Sequence, residues 1–538
     1  MPNIIRFALI IFCSLLLLAC AQSPVIMALA AVETPAVVEA PAAAEPDSAV
    51  SELSPNETPV TGLQFPFITR HQGVFNGKQV SYTATVGAVE VRDAEGNPGA
   101  SIVSTSYVAD TPASASAGAA QRPVMFVFNG GPISPSVYLH MGAFGPKRVA
   151  FPDDLLADAS AAPLVDNPYS ILDVFDLVYF DPAGTGFSRT LPGKALQDYF
   201  SVEADAQQTA AFIVSWLKAH DRVGSPVYIF GESYGTNRAA EAAGQLAKLE
   251  PPLLLDGVIL FGQAVNIIEY SQRPSNIMSY VVSLPTLAAI GLHHGKADPQ
   301  GADLETFVAQ AWEYAQDEYL DALFQGNTLP AAELQAVAER LQQFTGVGAE
   351  VFVKNRLRLS KEAYRRELFK SEEKIIGMSD GRYIADLEPP GENGSGQADP
   401  ASVLPRALAE TFRSYLTSDL GVPSSEQYIT TSPVKGLGAW EWGGTTPFSW
   451  FQYGDAVTEV LQANPEAHVL VSAGYHDTMT TYGASLYLVN QELWPKKQVT
   501  LKGYPGGHMA YSIETSADAM ARDLRSMAAR SDGTESPE

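Results

Sequence analysis

The apolar residues of this chain fall into two kinds of pattern. Short, nearly unbroken blocks at Val124–Phe128, Val174–Phe180, Val227–Phe230, Gly257–Phe261 and His468–Val471 each stop at glycine, proline or polar residues. That is the pattern of strands buried on both faces of a sheet. Between some of them the apolar positions recur at helical spacing. Ala206, Ala210, Ile213, Trp216 and Leu217 share one face of a helix expected over Val202–His220, and an alanine-rich run, Arg238–Lys248, is also compatible with a helix. Earlier, between Gly77 and Asp110, two stretches rich in Val, Thr and Tyr flank Asp93–Gly99, a polar, glycine-bearing centre that predicts an antiparallel hairpin.

Strands alternating with helices after a hairpin imply an α/β fold: a mixed, mostly parallel sheet with helices on both faces. From 265 to 434 the pattern turns helical, including Leu304–Phe324 and Ala331–Phe344, and then polar over Pro389–Pro400. Because the strand pattern resumes afterwards, this segment reads as a mainly helical cap inserted over the strand ends, an independent helical domain being the alternative. The expected organisation is a signal peptide at 1–20, a flexible tether at 21–62, a core in two parts (63–264 and 435–529) around the cap, and a disordered tail at 530–538.

Composition adds limits. Of 538 residues, 46% are hydrophobic and 17% charged, as in a globular protein with a large core. A formal net charge of −26 argues against nucleic acid or an anionic membrane surface as partner. The apolar run Phe7–Ala19 after Arg6 is of signal-peptide length and short for a membrane span. Two cleavage points fit. Leu17-Leu18-Ala19-Cys20 resembles a bacterial lipoprotein box that leaves a lipid-anchored Cys20, the preferred reading, and Ala28-Leu29-Ala30 resembles an ordinary site. Either implies export to a bacterial envelope, the periplasm, with a lipid anchor as the one expected membrane contact. The only cysteines, Cys13 and Cys20, lie in or at the end of this signal, so the mature domain has no internal disulfide and no cysteine chemistry.

The chemistry gathers at strand ends. Gly231-Glu232-Ser233-Tyr234-Gly235 follows one apolar block and precedes a helix-compatible run. In that setting G-x-S-x-G builds a sharp strand-to-helix turn that exposes the serine hydroxyl. A serine needs a base, and the base a third group to orient it. Of eight histidines, His71, His140, His220 and His468 have no special setting, and His293 and His294 lie in the cap without acidic neighbours in sequence. His508, in Tyr504-Pro505-Gly506-Gly507-His508-Met509, follows a Gln498–Leu501 strand pattern on a glycine loop. Asp477 ends the block that starts at His468, and the order Ser233, Asp477, His508 is that of an α/β-hydrolase. His476 is a rival base, but a residue adjacent to the aspartate tends to point away from it. Phe128-Asn129-Gly130-Gly131-Pro132 follows the third predicted strand, where backbone N–H groups form half of an oxyanion hole; the Tyr234 N–H supplies the rest. No H-E-x-x-H and no ligand-spaced cluster occurs, so no metal or cofactor is expected.

With these pieces placed, the chain resembles the serine carboxypeptidases, peptidase family S10, and most of all bacterial exported members. The resemblance rests on Asn129-Gly130-Gly131-Pro132, Asp181-Pro182-Ala183-Gly184-Thr185-Gly186-Phe187-Ser188, Gly231-Glu232-Ser233-Tyr234-Gly235, Ala473-Gly474-Tyr475-His476-Asp477 and Gly506-Gly507-His508-Met509. It runs from about 65 to about 520 and is weakest in the insertion. It implies Ser233 as nucleophile, His508 as base, Asp477 as its partner, and Gly131 and Tyr234 as oxyanion donors. It also implies that Asn129 and Glu232 bind the free carboxylate of a peptide's last residue, with Met509 in the wall around that residue. Asp181–Ser188 is taken as a structural loop.

Two departures stand out. The family's second glutamate, partner of the one beside the serine, falls on Ala143, and a glycine after Pro132 is replaced by Ile133, which is expected to stiffen or narrow the entrance. Exopeptidase activity on peptides with a free C-terminus is therefore expected to persist with a weaker acid preference. The competing readings are an esterase or acyltransferase on the same scaffold and an envelope binding protein with an idle triad.

Overall fold

Strands read as continuous apolar runs when both faces of their sheet are covered, and the sheet at the centre of this molecule has that form. The computed structural model describes residues 60–531 apart from 61, 94–95, 111–121, 156, 390–396 and 445–451. The expected signal, the lipid-anchor cysteine, nearly all of the tether and the tail lie outside the described residues. So does Ala113–Gln121, whose small residues read from sequence as a loop.

The main sheet contains β1 (Phe67–Phe75), β2 (Lys78–Arg92), β3 (Pro98–Ala109), β4 (Val124–Phe128), β5 (Asp176–Phe180), β6 (Val227–Glu232), β7 (Gly257–Phe261), β8 (His468–Gly474) and β9 (Val499–Tyr504). Their spatial order is β1-β2-β3-β5-β4-β6-β7-β8-β9, with a two-residue strand, Arg189–Thr190, also paired to β3. The pairs β1/β2, β2/β3 and β3/β5 are antiparallel, and every pair from β5/β4 to β8/β9 is parallel. The hairpin prediction held, but β1 was not foreseen. Its inward and outward positions are all at least partly exposed up to Phe75, so it lacks the apolar signal of the central strands and is defined by its pairing with β2.

Alternation assigns each strand residue to one of two cores. In β4, Met125 and Val127 join one cluster with Phe230, Phe261, Tyr511 and Leu524, whereas Val124, Phe126 and Phe128 join another with Ile213, Trp216, Leu217 and Val457. The helix Val202–Ala219 packs on the second face as its apolar stripe requires. Helix Gly235–Ala247 covers the same face.

The segment 265–434 is mainly helical and carries its own apolar cluster, built from Leu284, Ile290, Phe307, Leu341, Phe344 and their neighbours. The Leu304 helix runs through a wide turn, Ala315–Tyr319, into Leu320–Gln325, and the next spans Ala331–Thr345. Two features were not anticipated. A two-stranded hairpin pairs Lys374–Ile376 with Ile384–Asp386, and the helix Val403–Ser418 sends Leu408, Phe412 and Tyr415 into the main core instead of the cap cluster.

The strand order places the site. Chain order reverses at β4, with β5 on one side and β6 on the other. Loops leaving the carboxyl ends of neighbouring strands at such a point diverge and open a crevice. The loops after β4 and β6 carry Asn129–Gly131 and Ser233.

Candidate active site

Ser233 has φ +60, a conformation that ordinary residues hold only when the surroundings impose it. Here the imposition is a close crossing of strand and helix. A Cβ on Gly231 would stand 2.0 Å from the Gly235 carbonyl oxygen, and one on Gly130 would stand 2.5 Å from the Tyr234 nitrogen. Both glycines are therefore required for the loop after β4 to lie against the turn after β6. The Ser233 N–H donates to the Phe261 carbonyl at 2.9 Å, and its side chain is half-buried.

Among the described residues neither the Gly131 nor the Tyr234 N–H has an acceptor in the protein. Tyr234 precedes the first turn of Gly235–Ala247, where amides are unpaired by the geometry of the helix. The two are thus free to serve as the oxyanion donors that the sequence suggested.

A buried pair holds this arrangement from behind. Arg238 Nε donates to Asp205 at 2.8 Å and Arg238 Nη1 to the Asn129 carbonyl at 2.6 Å, with both charged side chains fully buried. The guanidinium also lies over the rings of Phe128 and Tyr234. Replacing Arg238 by methionine would leave the buried Asp205 without its counter-ion, with Gln208 Nε2 still donating to it at 3.0 Å, so a loss of about 3–5 kcal/mol is expected. Denaturant titration would show the midpoint falling at an unchanged slope. A second change, Asp205→Leu, is expected to restore part of that stability.

Asp477 and His508 come together as expected. His508 Nδ1 donates to Asp477 Oδ2 at 2.7 Å, the tautomer being assigned from this network. Asp477 is fully buried and accepts three further bonds: from Met479 N at 2.7 Å, Thr480 N at 3.2 Å and Thr480 Oγ1 at 2.6 Å. Burial opposes a charge on His508, but the Asp477 carboxylate and its hydrogen bond, then Glu232 and Asp399, outweigh it and raise the ring to about 9. A Cβ on Gly262, next to the Phe261 carbonyl that holds Ser233, would touch this ring at 3.4 Å, so serine and histidine flank the same turn. Among the described residues no hydrogen bond joins the Ser233 hydroxyl to the ring. Such contacts commonly tighten only when substrate is bound.

The histidine loop is gripped from two sides. His508 N donates to the Ser379 carbonyl at 2.6 Å and Gly507 N to Asp380 at 3.1 Å, both on the cap hairpin. His476, the rival base, accepts from Gly506 N at 3.2 Å, and burial pushes it down to about 3. It is a neutral strut for the loop that carries His508. The remaining histidines have structural partners, such as His140 with the Tyr107 hydroxyl at 2.7 Å and His468 with Thr500 at 2.8 Å. His293 and His294, which have no acidic neighbours in sequence, lie close enough to Asp380 for its charge to act on both rings.

Asn129 and Glu232 also meet. Asn129 Nδ2 donates to Glu232 Oε2 at 2.5 Å, while Asn129 Oδ1 accepts from Leu139 N at 3.1 Å. Burial raises Glu232 to about 7, against the opposing pull of His508, Tyr511 and Asn129. Ala143 is buried in a wide turn, His140–Phe144, and the neighbour that Glu232 has in place of a second carboxyl is Tyr511, whose hydroxyl lies 3.2 and 3.0 Å from the two carboxyl oxygens. Tyr511 was not singled out from sequence, where nothing marks it beyond its place three residues after His508.

Met509 is half-buried beside Phe151, Leu155, Tyr383 and Leu404, an apolar wall partly supplied by the cap. Asp181 is structural, accepting from Ser136 N and Ser136 Oγ at 2.8 Å and from the Tyr428 hydroxyl at 2.9 Å. The expectation for Ile133 needs correction. At φ +54 it is wholly buried in the core cluster that includes Phe128 and Phe180, so its side chain packs under the loop instead of narrowing an entrance. Among the described residues no three His, Cys, Asp or Glu side chains are grouped to hold a metal.

The sheet order and the turn at Ser233 define an α/β-hydrolase. Residues 112–250 match the family model described as serine carboxypeptidase, peptidase S10. The matched stretch includes the turn at Ser233 and supports a hydrolase of the peptidase class. Among solved structures it is similar to Kex1, a prohormone-processing carboxypeptidase from Saccharomyces cerevisiae, at 13% identity and TM-score 0.51, covering 83% of this chain and 91% of that one. At that identity the likeness bears on the fold. A proline iminopeptidase from Mycobacterium smegmatis aligns at 15% identity over 82% of this chain and 99% of its own, with a TM-score of 0.33, too low to carry an argument. Comparison with curated protein sequences yields no match.

Proposed function

We propose that this serine carboxypeptidase releases single C-terminal residues from peptides through an acyl-enzyme on Ser233. The Ser233 Oγ attacks the last peptide carbonyl and His508 Nε2 takes its proton. The Gly131 and Tyr234 N–H groups receive the oxyanion, and His508 returns the proton to the departing amine. Water, activated by the same imidazole, then cleaves the ester. Asp477 keeps the ring in the tautomer that presents Nε2 to the serine.

The observation that carries this reading is a buried carboxyl directly before the serine. Two carboxyl groups can hydrogen-bond only by sharing a proton, and burial of Glu232 favours its protonated form. A protonated Glu232 beside the Asn129 amide would take up the carboxylate of the last residue, and the wall at Met509 favours an apolar side chain there. The N-terminal apolar run and Cys20 support work in a bacterial envelope, with a lipid anchor at that cysteine.

The pH dependence follows from two groups needed in opposite states. Binding needs Glu232 protonated and attack needs His508 neutral, yet burial lifts Glu232 only to about 7 while Asp477 lifts His508 to about 9, so the last shared proton rests mainly on the ring. The active form is a minority tautomer of the singly protonated pair, so kcat/KM should rise through the lower value and fall through the upper. We expect a bell centred on neutral to mildly alkaline pH for a blocked dipeptide with an apolar last residue. At the optimum, the C-amidated dipeptide is expected to be cut about 10²-fold less efficiently, the worth of a lost hydrogen bond to a charged group. Equal rates for the two would favour an esterase or acyltransferase instead, and an optimum well below pH 6 would contradict the pairing.

A further inference from the structure

We infer that Tyr511 is a positioning residue for carboxylate recognition: its hydroxyl aims the Glu232 carboxyl at the substrate. It occupies the place that a second acidic group would need and supplies a donor that does not titrate with it. The inference rests on the reading of Glu232 proposed above.

Three observations support it. The Tyr511 hydroxyl donates to both oxygens of Glu232, at 3.2 and 3.0 Å, while Asn129 Nδ2 approaches Oε2 from the loop after β4. The carboxyl is thus clamped from two elements that meet only in the folded chain. Second, the ring has no freedom to leave. Tyr511 is wholly buried, and a Cβ on Gly142 would lie 2.6 Å from its Cε2, so glycine at 142 is what lets the ring lie against the wide turn His140–Phe144. Turns of that kind recur at functional sites. Third, the backbone of Tyr511 is tied down by Arg148, whose Nη2 donates to its carbonyl at 3.2 Å.

The titratable and charged groups that act on Glu232 are His508 and Asp477 from the loops after β9 and β8, Tyr511 beyond His508, and Tyr138 from the turn before His140. Burial, and after it Glu232, holds both tyrosines well above their ordinary range, so neither loses its proton in the working range. The Tyr511 hydroxyl therefore favours the carboxylate form of Glu232 at every pH where the enzyme works. A second glutamate would instead have shared and exchanged a proton there.

Tyr511→Phe separates aim from packing, because the ring that fills the turn is kept. Without the hydroxyl, Glu232 holds its proton to higher pH, and the acid-side limb of kcat/KM should move up by about one pH unit. The carboxyl is also less well aimed, so the free-acid over C-amide ratio of kcat/KM should fall about tenfold, the loss lying in KM. A wild-type limb with an unchanged ratio would overturn the inference. So would equal losses on both substrates, the mark of a merely structural residue. Glu232→Gln serves as reference. If wild-type enzyme does not distinguish acid from amide, the underlying reading of Glu232 fails; if it does and Tyr511→Phe matches it, only the inference about Tyr511 fails.

Discussion

Ser233→Ala is expected to reduce kcat by about 10⁶-fold while the protein stays folded. The alcohol is the nucleophile that this turn exposes, and its neighbours are held without it, Glu232 by Asn129 and Tyr511 and Tyr234 by the packing of its ring against Trp440. Alanine also loses little in burial, because the side chain is half-buried. The positive φ at 233 is imposed by the Gly231–Gly235 crossing and is equally open to alanine, at a modest cost. Mass spectrometry of a short peptide panel should show stepwise one-residue losses with wild type and none with the variant, whose circular dichroism should be unchanged. One-residue losses at more than a hundredth of the wild-type rate would remove Ser233 from the mechanism.

Asp477→Asn should lower kcat by about 10⁴-fold, and the local hydrogen bonds show why. Oδ1 of Asp477 accepts from two backbone amides, Met479 N and Thr480 N, which would fix the oxygen of an asparagine on that side. Its amide nitrogen would then face His508 Nδ1, which now donates to Asp477 Oδ2 at 2.7 Å. Two donors cannot pair, so the imidazole would move its proton to Nε2 and present a hydrogen to the serine where a lone pair is needed. Removing Asp477 also takes away the charge that raises His508, so the alkaline limb of the residual kcat/KM should shift to lower pH. A variant with unchanged turnover, or with the limb unmoved, would contradict this account of the aspartate.

The central strands could be read from sequence nearly to the residue. Val124–Phe128 and Gly257–Phe261 were bounded correctly, because a strand covered on both faces needs an unbroken apolar run and its end is marked by glycine. The edge strand β1 carries no such mark and is not visible in the sequence, because its partly exposed residues are ordered by pairing with β2. The cap hairpin Lys374–Ile376/Ile384–Asp386 was missed for a related reason: strands of three residues are too short to show a period. Yet that hairpin region supplies Ser379 and Asp380, which hold the His508 loop.

By itself the sequence determined the nucleophile turn, the order of the three triad residues and the two faces of the core. These depend on local demands: glycine where backbones cross, apolar runs where strands are covered, polar residues where they end. Only the tertiary structure decided that Ile133 points into the core, that His476 braces the loop carrying His508, and that Tyr511 stands beside Glu232. Each of those depends on which side chains, hundreds of residues apart in some cases, are brought to the same few ångströms, and local pattern holds no record of such meetings.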